Sequence, residues 1–116
     1  MVQVWHNPRC SKSREAMKIV DEKGVEVETV LYLKTSPSVT EIKEVLQKLG
    51  YASAREMMRT KEAIYKELNL KDESDEEKLI EAMATHQKLI ERPIIIKGDQ
   101  AIIARPPSLA AEFLEA

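Results

Sequence analysis

The stretch of sequence that decides the fold is VQVWHNPRCSKSREAMKIVDEKGVEVETVL, at positions 2–31. Its first residues, 2–5, form an apolar run typical of a β-strand, and the turn-forming residues 6–8 end that run. Residues 11–23 place apolar side chains at helical spacing, and residues 25–31 alternate as a second strand does. The stretch therefore predicts a βαβ unit, with two parallel strands joined by a right-handed crossover.

A helical block follows this unit. Ser38 and Glu41 have the spacing of a capping box and predict the start of a helix that ends at Gly50. Ser74 and Glu77 repeat that spacing and predict the start of another helix. The remaining segments predicted in this part of the chain are a loop at 34–37 and short helical pieces at 54–58 and 62–68.

The hydrophobic period then changes from helical to alternating. Residues 93–104 contain two apolar runs around a turn at 98–100 and predict a β-hairpin, after which residues 107–114 predict a closing helix. A parallel pair joined to a hairpin predicts an α/β fold of the thioredoxin-like type. We expect a four-stranded mixed sheet flanked by helices, with a helical insertion at about 38–90 between the second and third strands, in a single domain over 1–116.

Composition excludes several classes of function. The chain has 116 residues and a net charge of −2, so it has no bulk positive field for nucleic acid or anionic lipid. Three scattered glycines cannot build a Walker loop or a dinucleotide-binding fingerprint. One cysteine and two histidines argue against a metal site. No apolar stretch is long enough to cross a bilayer, so we expect a cytoplasmic protein without a membrane partner.

Cys10 lies where the first strand is predicted to feed the first helix. Ligand chemistry in α/β folds is found at such junctions, and the amides of a helix N-terminus favour an anion such as a thiolate. Arg9, Lys12 and Arg14 add positive charge nearby, a setting that lowers a thiol pKa from about 8.5. A lone cysteine more often packs as a small apolar side chain, but the polar string around this one favours a reactive nucleophile.

The local motif narrows the chemistry of this thiol. Cys10 and Ser13 form a C-x-x-S motif without a second thiol, so a redox cycle needs a thiol from another molecule. The arginine of a Cys-x5-Arg phosphatase loop is missing, because Ala16 occupies its position.

The string His6-Asn7-Pro8-Arg9-Cys10-Ser11-Lys12-Ser13-Arg14 resembles the active-site signature of the glutaredoxin-coupled arsenate reductase family, which has a thioredoxin-like fold. The resemblance extends across essentially the whole chain. Further stretches similar to that family, in the same order, are Leu31-Tyr32-Leu33, Ala54-Arg55-Glu56-Met57-Met58-Arg59, Tyr65-Lys66-Glu67-Leu68, Glu91-Arg92-Pro93-Ile94-Ile95 and Ala104-Arg105-Pro106-Pro107.

The resemblance implies roles for individual residues. Cys10 matches the nucleophile, which attacks arsenate to form a thiol–arsenate adduct. His6 and Ser13 match positions that help to keep that cysteine ionised. The arginines that match the oxyanion-binding positions are Arg59, Arg92 and Arg105. Planar, permanently charged donors suit a tetrahedral oxyanion.

Three further residues are expected to support the site. Asn7 belongs to the signature, and Pro93 is a candidate for the cis-proline that precedes the third strand of thioredoxin-like folds. Arg14 either faces the anion or lies on the outside of the first helix. His86, at a helix end, is assigned to solvent or capping, without a catalytic role.

The leading hypothesis is a glutaredoxin-dependent reduction of arsenate to arsenite on a single cysteine. It implies glutathione as a co-substrate, no tightly bound cofactor or metal, and glutaredoxin as a partner. We expect a monomer that binds no nucleic acid. Two alternatives remain open: a thiol oxidoreductase of the same fold that acts on another substrate, and a non-enzymatic transcriptional adaptor, although such adaptors typically carry the C-x-x-C that Ser13 interrupts.

Overall fold

A computed structural model describes residues 2–115. Its strands are β1 (Val2–Trp5), β2 (Val27–Val30), β3 (Ile94–Lys97) and β4 (Gln100–Ile103). Its α-helices are α1 (Ser11–Glu22), α2 (Tyr32–Thr35), α3 (Val39–Leu49), α4 (Ala63–Glu67), α5 (Glu76–Thr85) and α6 (Leu109–Glu115). Short 3-10 helices occupy Ala54–Met57, Leu70–Asp72 and Gln87–Leu89.

The four strands form one mixed sheet in the order β2-β1-β3-β4. β1 is parallel to β2 and antiparallel to β3, and the hairpin of β3 and β4 completes the sheet. This is the α/β arrangement predicted from the sequence, and helices lie between the second and third strands as expected.

The sheet buries a different hydrophobic cluster on each face. Trp5, Ile94 and Ile96 belong to the larger cluster, with side chains of α3 and α5 such as Ile42 and Leu79. The smaller cluster holds alternate strand residues together with side chains of α1 and α6, namely Val2, Val4, Ala16, Val20, Ile95, Ala104 and Ala110. Neighbouring residues of β1 and β3 therefore point to opposite faces, as the two-residue period of a strand requires.

The register of the strands determines where the site lies. Trp5, at the end of β1, pairs with Ile94 at the start of β3, and Ile94 pairs with Ile103 at the end of β4. The segments that follow β1, precede β3 and follow β4 thus meet at one end of the sheet. These segments carry Cys10, Arg92 and Arg105, respectively.

Two local predictions were wrong. The loop expected at 34–37 begins as helix α2, because the N–H groups of Lys34 and Thr35 bond to the Leu31 carbonyl, and Ser36 ends that turn with φ 50°. Strand β2 is correspondingly shorter than the predicted 25–31.

The second error concerns the start of α5. The cap is Asp75, whose side chain accepts a hydrogen bond from the Glu77 N–H, and Ser74 lies outside the cap. Both residue types cap helices well, and the chain uses the one closer to the first turn. The predicted capping box of Ser38 and Glu41 is present.

Candidate active site

Cys10 is the N-cap residue of α1 and is only partly exposed. Its own N–H donates to the Asn7 carbonyl at 3.0 Å, and its carbonyl accepts from the Arg14 N–H at 3.0 Å, so the helix starts at the cysteine. The neutral thiol makes no capping hydrogen bond of standard geometry. Its sulfur nevertheless lies at the amide-rich end of a twelve-residue helix, where negative charge is favoured.

The surroundings of the sulfur lower the pKa of Cys10 below its ordinary value. Partial burial acts in the opposite direction and raises the pKa, but the groups that stabilise the thiolate outweigh it. These groups are the Ser13 N–H, the Arg92 guanidinium through a hydrogen bond and its charge, and the Lys12 N–H. The lowered pKa increases the fraction of Cys10 that is present as the nucleophilic thiolate.

Ser13 is the hub of the loop before the helix. Its hydroxyl is fully buried, lies 2.7 Å from Nδ1 of His6 and accepts the Asn7 N–H at 3.1 Å. The Asn7 side chain in turn accepts the Arg9 N–H at 3.0 Å. These bonds fix the path of the chain from β1 into the cysteine.

The surroundings of His6 favour its neutral form. Burial and, secondarily, the positive charge of Arg14 hold the pKa of His6 below its ordinary value. A neutral imidazole has one acceptor nitrogen, so Nδ1 can accept the hydroxyl proton of Ser13 while Ser13 accepts from Asn7. The bond between the imidazole and the Ser13 hydroxyl orients the loop, whereas Ser13 acts on the sulfur of Cys10 through its backbone N–H.

Arg14 does not line the arginine cleft described below. Its guanidinium donates to the Pro8 carbonyl at 2.9 Å, and the side chain is exposed. Of the two positions considered for Arg14, the structure favours the outer surface, where this residue braces the turn before Cys10.

The three arginines that match the oxyanion-binding positions lie in one cleft of about 300 Å³. Arg59, Arg92 and Arg105 line it, and the Arg105 guanidinium lies 3.4 Å from the Arg92 carbonyl oxygen. The remaining lining residues are Met58, Thr60, Lys61, Glu62 and Glu91. Cys10 is not among them, and it is connected to the cleft through Arg92.

Arg59 comes from the helical insertion, and a short antiparallel bridge holds it beside Arg92. The Arg59 N–H donates to the Leu89 carbonyl at 2.7 Å, and the Glu91 N–H donates to the Met57 carbonyl at 2.9 Å. Met58 and Ile90 are the bridge partners between these bonds. Two segments that are far apart in sequence are thus joined at the site.

Pro93 lies between this bridge and the sheet. It is fully buried, and the Arg92–Pro93 peptide bond is cis, as predicted. The Arg105–Pro106 bond is also cis, which the sequence analysis did not anticipate. Both bonds lie directly after arginines that line the cleft.

Tyr32 and Glu91 are neighbours of the site that the sequence analysis did not single out. Burial raises the pKa of Tyr32 to about 12, opposed by the charges of Arg92 and Arg59 and supported by those of Cys10 and Glu91. Tyr32 therefore lies close enough to the thiol and to the arginines for their charges to act on it. Its place in the stretch 31–33, similar to the family, was the only signal available.

The described residues provide neither a cluster of metal ligands nor a membrane-spanning helix. In residues 2–115, no three His, Cys, Asp or Glu side chains are grouped so that they could hold a metal ion. Across the same residues, every helix is too short or too polar to cross a bilayer.

Comparison with known proteins gives consistent matches over nearly the whole chain. The model of the ArsC family matches residues 5–113. The Escherichia coli protein YfgD is 51% identical, covering 97% of this chain and 96% of its own. An arsenate reductase of Neisseria meningitidis is 46% identical, covering 90% of this chain and 91% of its own. The solved structure of an arsenate reductase from Vibrio cholerae superposes with a TM-score of 0.93 at 48% identity, covering 96% of this chain and 95% of its own.

Proposed function

Because the chain belongs to the ArsC family, we propose that it is an arsenate reductase. In this proposal, Cys10 forms a thiol–arsenate adduct, and glutathione and glutaredoxin supply the reducing thiols. The observation that carries it is the position of Arg92, which lines the cleft with Arg59 and Arg105 and also stabilises the Cys10 thiolate. One side chain therefore couples an anion site to a nucleophile.

The first step is the attack of the Cys10 thiolate on the arsenic atom of arsenate. A sulfur–arsenic bond forms, and one arsenate oxygen leaves as water after it takes up protons. Two anions repel each other, so the step needs fixed positive charge around the oxyanion. Arg59, Arg92 and Arg105 supply that charge and donate hydrogen bonds to arsenate oxygens.

The second step needs an external thiol, because Cys10 is the only cysteine in the chain. A glutathione thiolate attacks the sulfur of Cys10, the sulfur–arsenic bond breaks, and its electron pair goes to arsenic, which leaves as arsenite. The product is a mixed disulfide between Cys10 and glutathione. Glutaredoxin then takes over the glutathione and releases Cys10 as a thiol.

The reductants indicate the compartment. A single unpaired thiol that depends on glutathione and glutaredoxin belongs in the cytoplasm, where such thiols are kept reduced. We propose that the enzyme acts there as a monomer. In support, few large apolar side chains are exposed among the described residues, namely Val25, Leu33, Leu68 and Leu109.

The test is arsenate reduction coupled to NADPH oxidation, with glutathione, glutathione reductase and glutaredoxin. We expect turnover by the parent, loss of turnover in Cys10→Ser, and a fall of about a hundredfold or more in Arg92→Ala, since that change removes transition-state charge stabilisation. Arg9→Ala, which changes an exposed arginine outside the cleft, is the matched control and should retain most of the activity.

Three results would each contradict a part of the proposal. Turnover that survives in Cys10→Ser would exclude the adduct on this thiol. A parent that does not turn over arsenate, although its Cys10 alkylates rapidly at neutral pH, would point to another substrate of the same nucleophile. Omission of glutaredoxin with no loss of rate would remove that partner from the cycle.

A further inference from the structure

The cleft that binds the oxyanion in the proposed function contains two carboxylates besides its arginines. Glu91 Oε1 lies 3.1 Å from Arg92 Nη1, and Glu62 Oε2 lies 3.5 Å from Arg59 Nη2. Both carboxylates line the cleft. Negative charge beside an anion lowers the affinity for every anion, so these side chains need an explanation beyond charge.

Glu91 is held in place and keeps spare hydrogen-bonding capacity. Its backbone N–H is fixed by the Met57 carbonyl, and its side chain is 28% exposed toward the cleft. A carboxylate has two oxygens and about four lone-pair sites. The bond to Arg92 engages one oxygen.

Arg92 also keeps unused donor capacity. Its side chain is 13% exposed, and its buried Nε has no acceptor among the residues that the structure describes. The exposed part of the guanidinium borders the cleft, where it can donate to an incoming acceptor. An oxyanion at Arg92 would therefore accept from the guanidinium while it lies next to the Glu91 carboxylate.

Tetrahedral oxyanions differ in whether they can donate a hydrogen bond to the Glu91 carboxylate. At slightly alkaline pH, hydrogen arsenate and hydrogen phosphate are dianions that still carry one hydroxyl group, whereas selenate and sulfate are dianions without any proton. A hydroxyl can donate to a carboxylate, but an unprotonated oxygen facing the carboxylate adds only repulsion. A site with buried or half-buried acceptors rejects a ligand that cannot satisfy them.

We propose that Glu91 is a specificity-determining residue that makes the arginine cleft select protonated tetrahedral oxyanions over fully ionised ones. In this arrangement, guanidinium groups donate to the bare oxygens, and Glu91 accepts the hydrogen bond of the hydroxyl. The inference rests on the proposed function, because it places the substrate oxyanion in this cleft.

The test measures the dissociation constants of four anions by titration calorimetry, using the full chain with Cys10→Ser to prevent adduct formation. Arsenate and selenate form one pair of similar size, and phosphate and sulfate form the other. We expect the protonated member of each pair to bind about tenfold more tightly or better, as one hydrogen bond to a charged group provides.

Two variants separate hydrogen bonding from charge. Glu91→Gln should bring both ratios close to one, mainly through tighter binding of selenate and sulfate. Glu62→Gln removes the same charge from the same cleft, and it should tighten the binding of all four anions while both ratios persist. Far-UV circular dichroism checks the folding of each variant, and Glu91→Asp, which withdraws the carboxylate, replaces Glu91→Gln if the latter does not fold.

The result that would overturn the inference is a ratio near one in the parent, or ratios that Glu91→Gln leaves unchanged. Absence of binding by all four anions would overturn it as well. Since no turnover is measured, these outcomes are distinct from failure of the arsenate reductase proposal. A protein that reduces arsenate without discriminating against selenate would retain the proposed function and lose this role for Glu91.

Discussion

At the scale of single residues, the site depends on one guanidinium that serves two anions. Arg92 stabilises the Cys10 thiolate and lines the cleft in which the proposed substrate binds. A thiolate and an arsenate dianion can approach each other only if such a charge lies between them. The charge of the arginine and the reactivity of the thiol are therefore linked.

This link predicts a shift in the pH profile of Cys10. The pKa of Cys10 is below its ordinary value, so the thiolate persists to lower pH than in an ordinary cysteine. Removal of a positive charge and a hydrogen bond in Arg92→Gln raises that pKa, so the alkylation rate at neutral pH should fall and the midpoint of the profile should move to higher pH. The measurement is the rate of iodoacetamide alkylation against pH.

Arg105→Gln is the control for this experiment, because Arg105 lines the cleft without contributing to the pKa shift of Cys10. Its profile should match that of the parent. Coincident profiles for Arg92→Gln and the parent would show that the helix amides alone ionise the thiol.

Ser13 leads to a prediction about stability. In Ser13→Ala the Asn7 N–H loses its acceptor in a part-buried environment, and the His6 nitrogen loses its neighbour. Loss of such a bond costs about 1–3 kcal/mol of unfolding free energy. Urea denaturation measures this cost, and Ser11→Ala, at an exposed position of the same helix, should change stability much less. Equal effects at the two positions would contradict the role of Ser13 as the hub of the loop.

At the scale of elements, one arginine connects several parts of the helical insertion. Arg55 donates to the Tyr65 hydroxyl at 3.1 Å, the Leu70 carbonyl at 2.8 Å and the Glu73 carbonyl at 2.5 Å. It thus connects the 3-10 helix Ala54–Met57 to α4 and to the turn before α5. Only a guanidinium group, whose N–H donors point in several directions in one plane, can reach all of these acceptors.

We therefore expect Arg55→Lys to destabilise the protein although it conserves charge. The ammonium cannot replace the three separated bonds, and the loss should be about 2 kcal/mol or more in unfolding free energy. Thermal and urea denaturation measure it. Lys66→Arg, on an exposed position of α4, is the reverse exchange and should be nearly neutral. A stable Arg55→Lys variant would show that the insertion does not need the bonds of the Arg55 guanidinium.

The sequence predicts most helices and strands because their hydrophobic periods are clear. It does not predict features that depend on two neighbouring residues competing to cap a helix, or on pairing between residues far apart in the chain. The βαβ unit, the capping box at Ser38 and the hairpin were all readable. Helix α2 is a single turn, too short for a period to develop, and Asp75 competes successfully with Ser74 as a cap. Nothing in the local pattern of Met58 or Ile90 indicates that they pair.

The residues of the site also differ in how far the sequence identifies them. Cys10 and its loop are contiguous in sequence, so a motif identifies them, and residues before prolines drew attention to Arg92 and Arg105. Glu91 and Tyr32 occur in stretches that resemble the family, but only the structure shows that they lie near the arginines. An acidic residue among many on a charged chain carries no local signal of that kind.

At the scale of the whole molecule, the central strands join the two hydrophobic clusters. Neighbouring residues of β1 and β3 belong to opposite clusters, as Val4 and Trp5 do. Neither hydrophobic cluster can lose its packing without moving the strand backbone on which the other cluster packs. The protein should therefore unfold in a single cooperative transition.

Val20→Ala tests this cooperativity. Val20 is fully buried in the smaller cluster, and the truncation should cost about 2 kcal/mol of unfolding free energy. Trp5, the only tryptophan, reports on the larger cluster, where its ring stacks with Tyr32 at 6.4 Å. We expect the midpoints from Trp5 fluorescence and from far-UV circular dichroism to shift together. A dichroism midpoint that falls while the fluorescence midpoint stays would reveal two independent units.

The bridge between Met58 and Ile90 has a consequence for how such a protein can be rebuilt or diversified. The insertion is more than an appendage, since it delivers Arg59 to the site and is stitched to the residues next to Arg92. Replacing the insertion with one from another protein would change the side of the cleft that carries Arg59. The side that carries Arg92 would stay the same and would lack its bridge partner. In evolution and in protein engineering, the segments around Met58 and Ile90 should therefore change together, although some thirty positions of the chain separate them.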